Sequence, residues 1–174
     1  MGKKGLLLVF TGNGKGKTTA ALGMAFRALG HGQRVAVIQF IKGSWKYGEL
    51  ESAKCFPGRL DFHVMGRGFT WNSDNMDKDI ALARQAWTFA RTTIAEGKHD
   101  LVILDELTYL ISYAMIDEDE ILAGLAARPE SMHVVVTGRG AGKGLIAAAD
   151  LVTEMREIKH PYHDGVKAQK GIEY

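Results

Sequence analysis

The run Gly12-Asn13-Gly14-Lys15-Gly16-Lys17-Thr18-Thr19 has the residue types and spacing needed to hold a polyphosphate. Its glycines let backbone N–H groups turn inward around phosphate oxygens, while Lys17 offers a neutralising charge and Thr18 a hydroxyl for a metal ion. An apolar strand-like run, Leu6–Phe10, precedes the loop and a helix-like segment, Lys17–Leu29, follows it. The positive end of that helix would add to the same site. Against the pattern G-x-x-x-x-G-K-[ST] the chain departs once, with Thr11 in the first glycine position. A glycine-rich connection carrying incidental lysines is the alternative, and the strand–loop–helix context weighs against it. ATP is the expected ligand, held by Gly12 through Thr19.

Three further segments bear on the chemistry. Leu101-Val102-Ile103-Leu104-Asp105-Glu106 sets two carboxylates at the end of an apolar run. This is the edge of an α/β sheet where ligands bind, and an acid there helps to hold Mg²⁺ beside the loop hydroxyl. Glu106 could position water in a hydrolase or ligate the metal in a non-hydrolytic enzyme; alternatively, Asp105 caps a helix over Glu106–Tyr113. Val135–Gly140 ends another strand with Arg139 between glycines. Its planar fork suits phosphate, though a solvated turn arginine would look the same. In Met65-Gly66-Arg67-Gly68-Phe69-Thr70-Trp71 two aromatics stand in a glycine-rich loop. Turns favour small polar residues, so Phe69 and Trp71 either pack against a helix or offer a face to a large planar ligand. Trp45 and Tyr47 raise the same question with less force.

Other titratable groups read as structural. His160-Pro161-Tyr162-His163-Asp164 lacks the ligand count of a metal site, and His31, His63, His99 and His133 lie singly near element ends. Asp117–Glu120 is an acidic helix start.

These groups need a scaffold that brings strand ends together. Leu6–Phe10, Val35–Ile41, Leu101–Leu104 and Met132–Val136 read as strands buried on both faces, with Leu60–Met65 and Leu151–Ile158 weaker. Helices are expected over Lys17–Leu29, Met76–Ile94, Glu118–Ala127 and Leu145–Ala149. On the second of them Leu82, Ala86, Phe89, Ala90 and Thr93 share one face. The alternation predicts an α/β fold with a mainly parallel sheet, as a single domain over residues 1–174.

Composition narrows the function classes. The 174 residues carry 22 Lys and Arg against 20 Asp and Glu, so the net charge of +2 names neither nucleic acid nor an anionic membrane as the main partner. One cysteine, Cys55, excludes an internal disulfide and a Cys-rich zinc cluster. No apolar stretch approaches the ~20 residues that span a bilayer. Leu6–Phe10 is too short for a signal peptide, and the chain reads as cytoplasmic.

Together the segments FTGNGKGKTTAA, VIQFIKGSW, GFTW, VILDELTY, TGRG and DGVKAQKGIEY resemble the ATP:corrinoid adenosyltransferases of cobalamin biosynthesis and salvage. They occur in the family's order over nearly the whole chain, and Thr11 is part of the family pattern. Longer members carry a further N-terminal segment, whereas the first strand here starts almost at Met1.

The resemblance implies a P-loop NTPase-like (RecA-like) fold and transfer of the 5′-deoxyadenosyl group of ATP to cobalt(I) of a corrinoid, with release of tripolyphosphate. It implies that Gly12–Thr18 hold phosphates, with Arg139 a further phosphate contact, and that Thr18 and Glu106 contact Mg²⁺ or Mn²⁺. Asp105 would lie behind them. Lys17 would be catalytic. Phe69 and Trp71 would close the lower face of the corrinoid and displace its axial base, which makes cobalt(II) easier to reduce. A reduced flavoprotein as electron donor and a homodimer are implied as well. Cobalamin, cobinamide and earlier corrinoids all remain open as substrates. Two other classes are an ATPase or kinase using Glu106 to activate water or an acceptor, and a nucleotide-gated binding module. Neither needs the paired aromatics of GFTW.

Overall fold

The computed structural model describes residues 4–43, 47–66, 68 and 76–174. Short β-branched and leucine-rich runs form the strands β1 (Leu7–Thr11), β2 (Val35–Gln39), β3 (Leu60–Val64), β4 (Leu101–Asp105), β5 (His133–Thr137) and β6 (Leu151–Glu154). Every pairing is parallel, and the sheet order is β3-β2-β4-β5-β1-β6. The two weaker runs of the sequence, β3 and β6, prove to be the edge strands, half-buried and exposed respectively.

Side chains of the inner strands alternate between two cores, as the period of two requires. Leu7, Val9, Ile38, Leu104 and Val136 face one side; Leu8, Phe10, Val37, Ile103 and Val135 face the other. Helix α1 (Lys17–Gly30) covers the second face with Ala21, Ala25, Ala28 and Leu29. Between α1 and the remaining helices comes the short α2 (Gly48–Ala53). The first face is covered from α3 (Met76–Glu96), α4 (Thr108–Ser112), α5 (Glu118–Ala126) and α6 (Lys143–Ala148). A 3₁₀ turn, Pro161–Asp164, follows β6.

Three expectations are adjusted. The buried stripe of α3 centres on Ala83, Ala86, Trp87, Ala90, Thr93 and Ile94, with Leu82 and Phe89 at its margin. The wholly buried Trp87 sets that rotation. Strand β2 stops at Gln39, two residues early, although the Phe40 N–H still donates to the Asp105 carbonyl at 3.1 Å. Strand β6 stops at Glu154, level with the last residue of β1, although the Met155 N–H still donates to the Thr11 carbonyl at 2.8 Å. Among the described residues no helix is long and apolar enough to cross a membrane.

Candidate active site

Parallel strands deliver their C-terminal ends to one edge of a sheet. Here Gln39 is level with Asp105, Leu104 with Val136, and Phe10 with Thr137. Gln39, Asp105 and Thr137, near the ends of β2, β4 and β5, therefore arrive at the same place. Asp105 is fully buried and accepts three hydrogen bonds: from Thr18 Oγ1 (2.7 Å) and Thr137 Oγ1 (2.7 Å) at Oδ1, and from Gln39 Nε2 (3.0 Å) at Oδ2. Such a set of donors offsets the cost of taking a carboxylate out of water. Strand β5 lies between β1 and β4, and its Thr137 ties the acid to the strand beside the loop. Asp105 is not a helix cap: α4 begins at Thr108 behind Leu107, with no side-chain cap bond.

Glu106 leaves the strand in a left-handed conformation (φ 66°), unusual for a residue with a side chain. Its N–H donates to Thr137 Oγ1 at 2.9 Å. Its carboxylate lines the pocket, and Oε2 is buried without a hydrogen-bond partner. Burial first, then the neighbouring Asp105 charge, pushes the Glu106 pKa up to about 7, against the opposing pull of Lys42, Lys17 and Arg139.

The loop itself opens α1 through Gly16, whose φ of 104° suits glycine. Lys17 Nζ donates to the Gly14 carbonyl at 2.6 Å, and burial followed by the Arg139 charge lowers its pKa. Gly14 has a second reason to be glycine: its N–H donates to the Met155 carbonyl at 2.7 Å, and an added Cβ would stand 2.7 Å from the Arg156 carbonyl carbon. The segment after β6 thus lies directly against the loop. Lys15, Gly16, Lys17, Thr18, Thr19, Glu106 and Arg139 line a pocket of about 600 Å³, within the range of small-molecule sites. Gly12, Asn13 and Gly14 form the loop but are not part of that lining, and Asn13 is exposed. Arg139 is held by its carbonyl, which accepts from Thr108 Oγ1 at 2.7 Å. The far wall is apolar, with Leu22, Phe26, Phe56 and Phe62, and the C-terminal residues Gly171–Tyr174 close one side.

A family model for the ATP:corrinoid adenosyltransferases BtuR/CobO/CobP matches residues 3–174. The chain belongs to that family. It is 49% identical over 172 residues to the corrinoid adenosyltransferase of Pseudomonas aeruginosa, covering 99% of this chain and 85% of that one. The corrinoid adenosyltransferase CobA of Salmonella typhimurium is 45% identical over 172 residues, at 99% and 87% coverage. The crystal structure of the flagellar accessory protein FlaH from Methanocaldococcus jannaschii superposes with a TM-score of 0.63 at 13% identity, covering 87% of this chain and 71% of that one. That likeness concerns the fold alone.

A divalent cation fits the chemistry of this pocket. The orphaned Glu106 Oε2 and the Thr18 hydroxyl are hard oxygen donors of the kind Mg²⁺ and Mn²⁺ prefer, and Asp105 holds that hydroxyl from behind. Among the described residues no group of three or more His, Cys, Asp and Glu is assembled for a metal. The remaining positions would fall to phosphate and water, as Mg²⁺ commonly arranges them. The histidines of the 160–164 turn are engaged locally: His160 Nδ1 accepts from the Tyr162 N–H, and His163 Nε2 lies 2.8 Å from Glu157 Oε1.

Phe69, Trp71 and Trp45 lie outside the described residues. Four features of the candidate site escaped sequence reasoning: Gln39, Thr137, Lys42 and the contact of the C-terminal residues with the loop. Gln39 and Thr137 carried a usable signal, since each is a polar residue ending an apolar strand. The tail contact carried none. Lys15 Nζ is 3.2 Å from Glu173 Oε2, an ion pair between distant parts of the chain.

Proposed function

We propose that this chain transfers the 5′-deoxyadenosyl group of ATP to cobalt(I) of a corrinoid, whether cobalamin, cobinamide or a precursor, and releases tripolyphosphate. The observation that carries the reading is the family match over residues 3–174, which takes in the P-loop, both acids and Arg139. The pocket chemistry supports it. Cobalt(I) is a strong nucleophile and its attack on C5′ needs no base; among the described residues no histidine or cysteine lines the pocket. What the reaction needs is positioning and charge on the departing triphosphate.

Lys17 supplies the first cation, exchanging its bond to the Gly14 carbonyl for phosphate oxygens. Arg139 supplies a second, with a fork that can donate twice. Backbone N–H groups of the loop other than that of Gly14, which is held by the Met155 carbonyl, and the positive end of α1 complete the cradle. Thr18 and Glu106 hold Mg²⁺ or Mn²⁺, and Asp105 fixes the Thr18 hydroxyl from behind. The metal supplies neutralising charge on the leaving group. Phe69 and Trp71 cover the lower face of the corrinoid and keep its axial base away. The resemblance supports a homodimer in the cytoplasm that receives its electron from a reduced flavoprotein.

A second reading rests on Glu106. A carboxyl with a pKa near 7 is poised to act as a general base, as a kinase or ATPase requires. The phosphorus products decide between the two. With ATP, metal and reduced corrinoid, ³¹P NMR is expected to show tripolyphosphate; ADP as the product would transfer the assignment to the second reading.

A further inference from the structure

Lys42 lies just past the end of β2, half-buried, with its side chain 25% exposed on the pocket wall. Its Nζ is 3.2 Å from Glu49 Oε1 on α2 and 3.8 Å from Asp105 Oδ2, and 5.2 Å from the centre of the Tyr47 ring. The other oxygen of the same aspartate, Oδ1, receives the Thr18 hydroxyl. One buried carboxylate therefore joins the metal-holding threonine on one side to a lysine ammonium on the other.

A divalent cation arriving beside Thr18 and Glu106 would meet that ammonium across a single carboxylate. Like charges so close repel strongly where water screens them little. Burial works against the charge on Lys42, but Asp105 first, then Glu49 and lastly Glu106 outweigh it and raise the lysine pKa. The lysine has a flexible four-carbon stem and three donors, so it can move while keeping its charge. The anion that enters with the metal is the polyphosphate, and Lys42 already faces its pocket.

We propose that Lys42 is an exchangeable counter-cation: it neutralises Asp105 before the metal binds, then moves onto the phosphate chain when the metal arrives. There it acts beside Lys17 and Arg139 on the departing tripolyphosphate. The inference rests on the adenosyl-transfer reading. In that step the cobalt electron pair forms the Co–C5′ bond, and the C5′–O bond breaks with its pair leaving on the triphosphate. No proton moves, so added negative charge on the leaving oxygen must be met by cations. Glu49 is the resting tether that keeps the ammonium at the pocket.

The test uses binding alone, with wild type, Lys42→Met, Lys42→Arg and Glu49→Gln. Mn²⁺ without nucleotide is titrated by EPR, and inorganic tripolyphosphate with saturating Mg²⁺ by calorimetry. Lys42→Met is expected to bind Mn²⁺ several-fold more tightly, because the competing charge has gone. The same variant should bind tripolyphosphate about tenfold more weakly, the effect of one lost charge-assisted contact. Lys42→Arg returns both toward wild type, and Glu49→Gln tightens tripolyphosphate binding. A purely structural ion pair would weaken both ligands together or change neither, and either pattern overturns the proposal. So does weaker tripolyphosphate binding without tighter Mn²⁺ binding. Should Lys42→Met not fold, Glu49→Gln still decides: tripolyphosphate binding that is unchanged or weaker in that variant overturns the proposal. Failure of the adenosyl-transfer reading shows separately, as ADP among the phosphorus products, since neither titration involves turnover.

Discussion

Thr18 Oγ1 donates to Asp105 Oδ1 at 2.7 Å, joining residues 87 positions apart across the end of an intervening strand. The glycine-rich loop and the acid strand are thereby joined directly. The adjacent Glu106 keeps a buried oxygen free of protein partners. Two neighbouring acids thus have separate roles, one closing the structure and one left available.

Substituting them should separate those roles. Asp105→Asn presents an amide to three donors and should lower stability by about 1–3 kcal/mol, the usual cost of a broken buried hydrogen-bond set. Glu106→Gln should not lower the melting temperature, and it should weaken the response to added metal more than Asp105→Asn does. Thermal unfolding and metal titrations of both variants are the check; the reverse order in metal response would reassign the ligand.

Glu106 should also make the empty enzyme sensitive to pH. Its pKa is about 7 in the folded protein against an ordinary 4.5, so the folded state holds a proton that the unfolded chain releases. Stability therefore falls as pH rises from 4.5 to 7, by roughly 2–3 kcal/mol for this group. Urea unfolding should show Glu106→Gln matching wild type near pH 4.5 and exceeding it at pH 8. Because the metal needs the carboxylate, its affinity should drop about tenfold per pH unit below 7. A wild type and a Gln variant with parallel pH profiles would sink both expectations.

The Lys15–Glu173 pair sets a carboxylate where phosphate is due to bind. Removing it by Glu173→Gln should tighten ATP binding a few-fold at low salt, since Lys15 is half exposed and such pairs contribute at most about 1 kcal/mol. The gain should vanish at high ionic strength. Fluorescence titration with an ATP analogue at two salt concentrations measures it, and weaker binding would instead make the tail a wall of the nucleotide site.

For Phe69 and Trp71 the resemblance and simple packing predict different outcomes. If they displace the axial base, the double change to Ala should spare stability and ATP binding while activity from cobalt(II) with a mild reductant collapses. Chemically prepared cobalt(I) should restore most of it. If they fill a core, Trp71→Ala alone should cost about 3–5 kcal/mol and impair both cobalt states equally.

Much of the site was legible because its signals are local. A P-loop is defined by neighbours in the chain, and Gly12–Thr19 between an apolar run and a helix could be read without knowing any partner. Asp105-Glu106 after four apolar residues marked a strand end in the same way. The strand runs were visible because strands buried on both faces are continuously apolar, and the two with weaker patterns proved to be edges. The rotation of α3 was misjudged because Trp87 was not counted in the stripe.

By itself, then, the sequence determined the fold class, the strand–loop–helix setting of Gly12–Thr19, the acid pair at a strand end and the family, all of which are carried by contiguous residues. Tertiary structure alone decided the strand order, and with it that Gln39, Thr18 and Thr137 converge on Asp105. It also decided that Glu106 keeps an open oxygen and that Lys42 and Glu173 reach the site. The reason is physical: a hydrogen bond between residues 87 apart depends on which strands lie side by side. That arrangement is chosen by the packing of two whole faces of the sheet, and no short stretch of chain contains it.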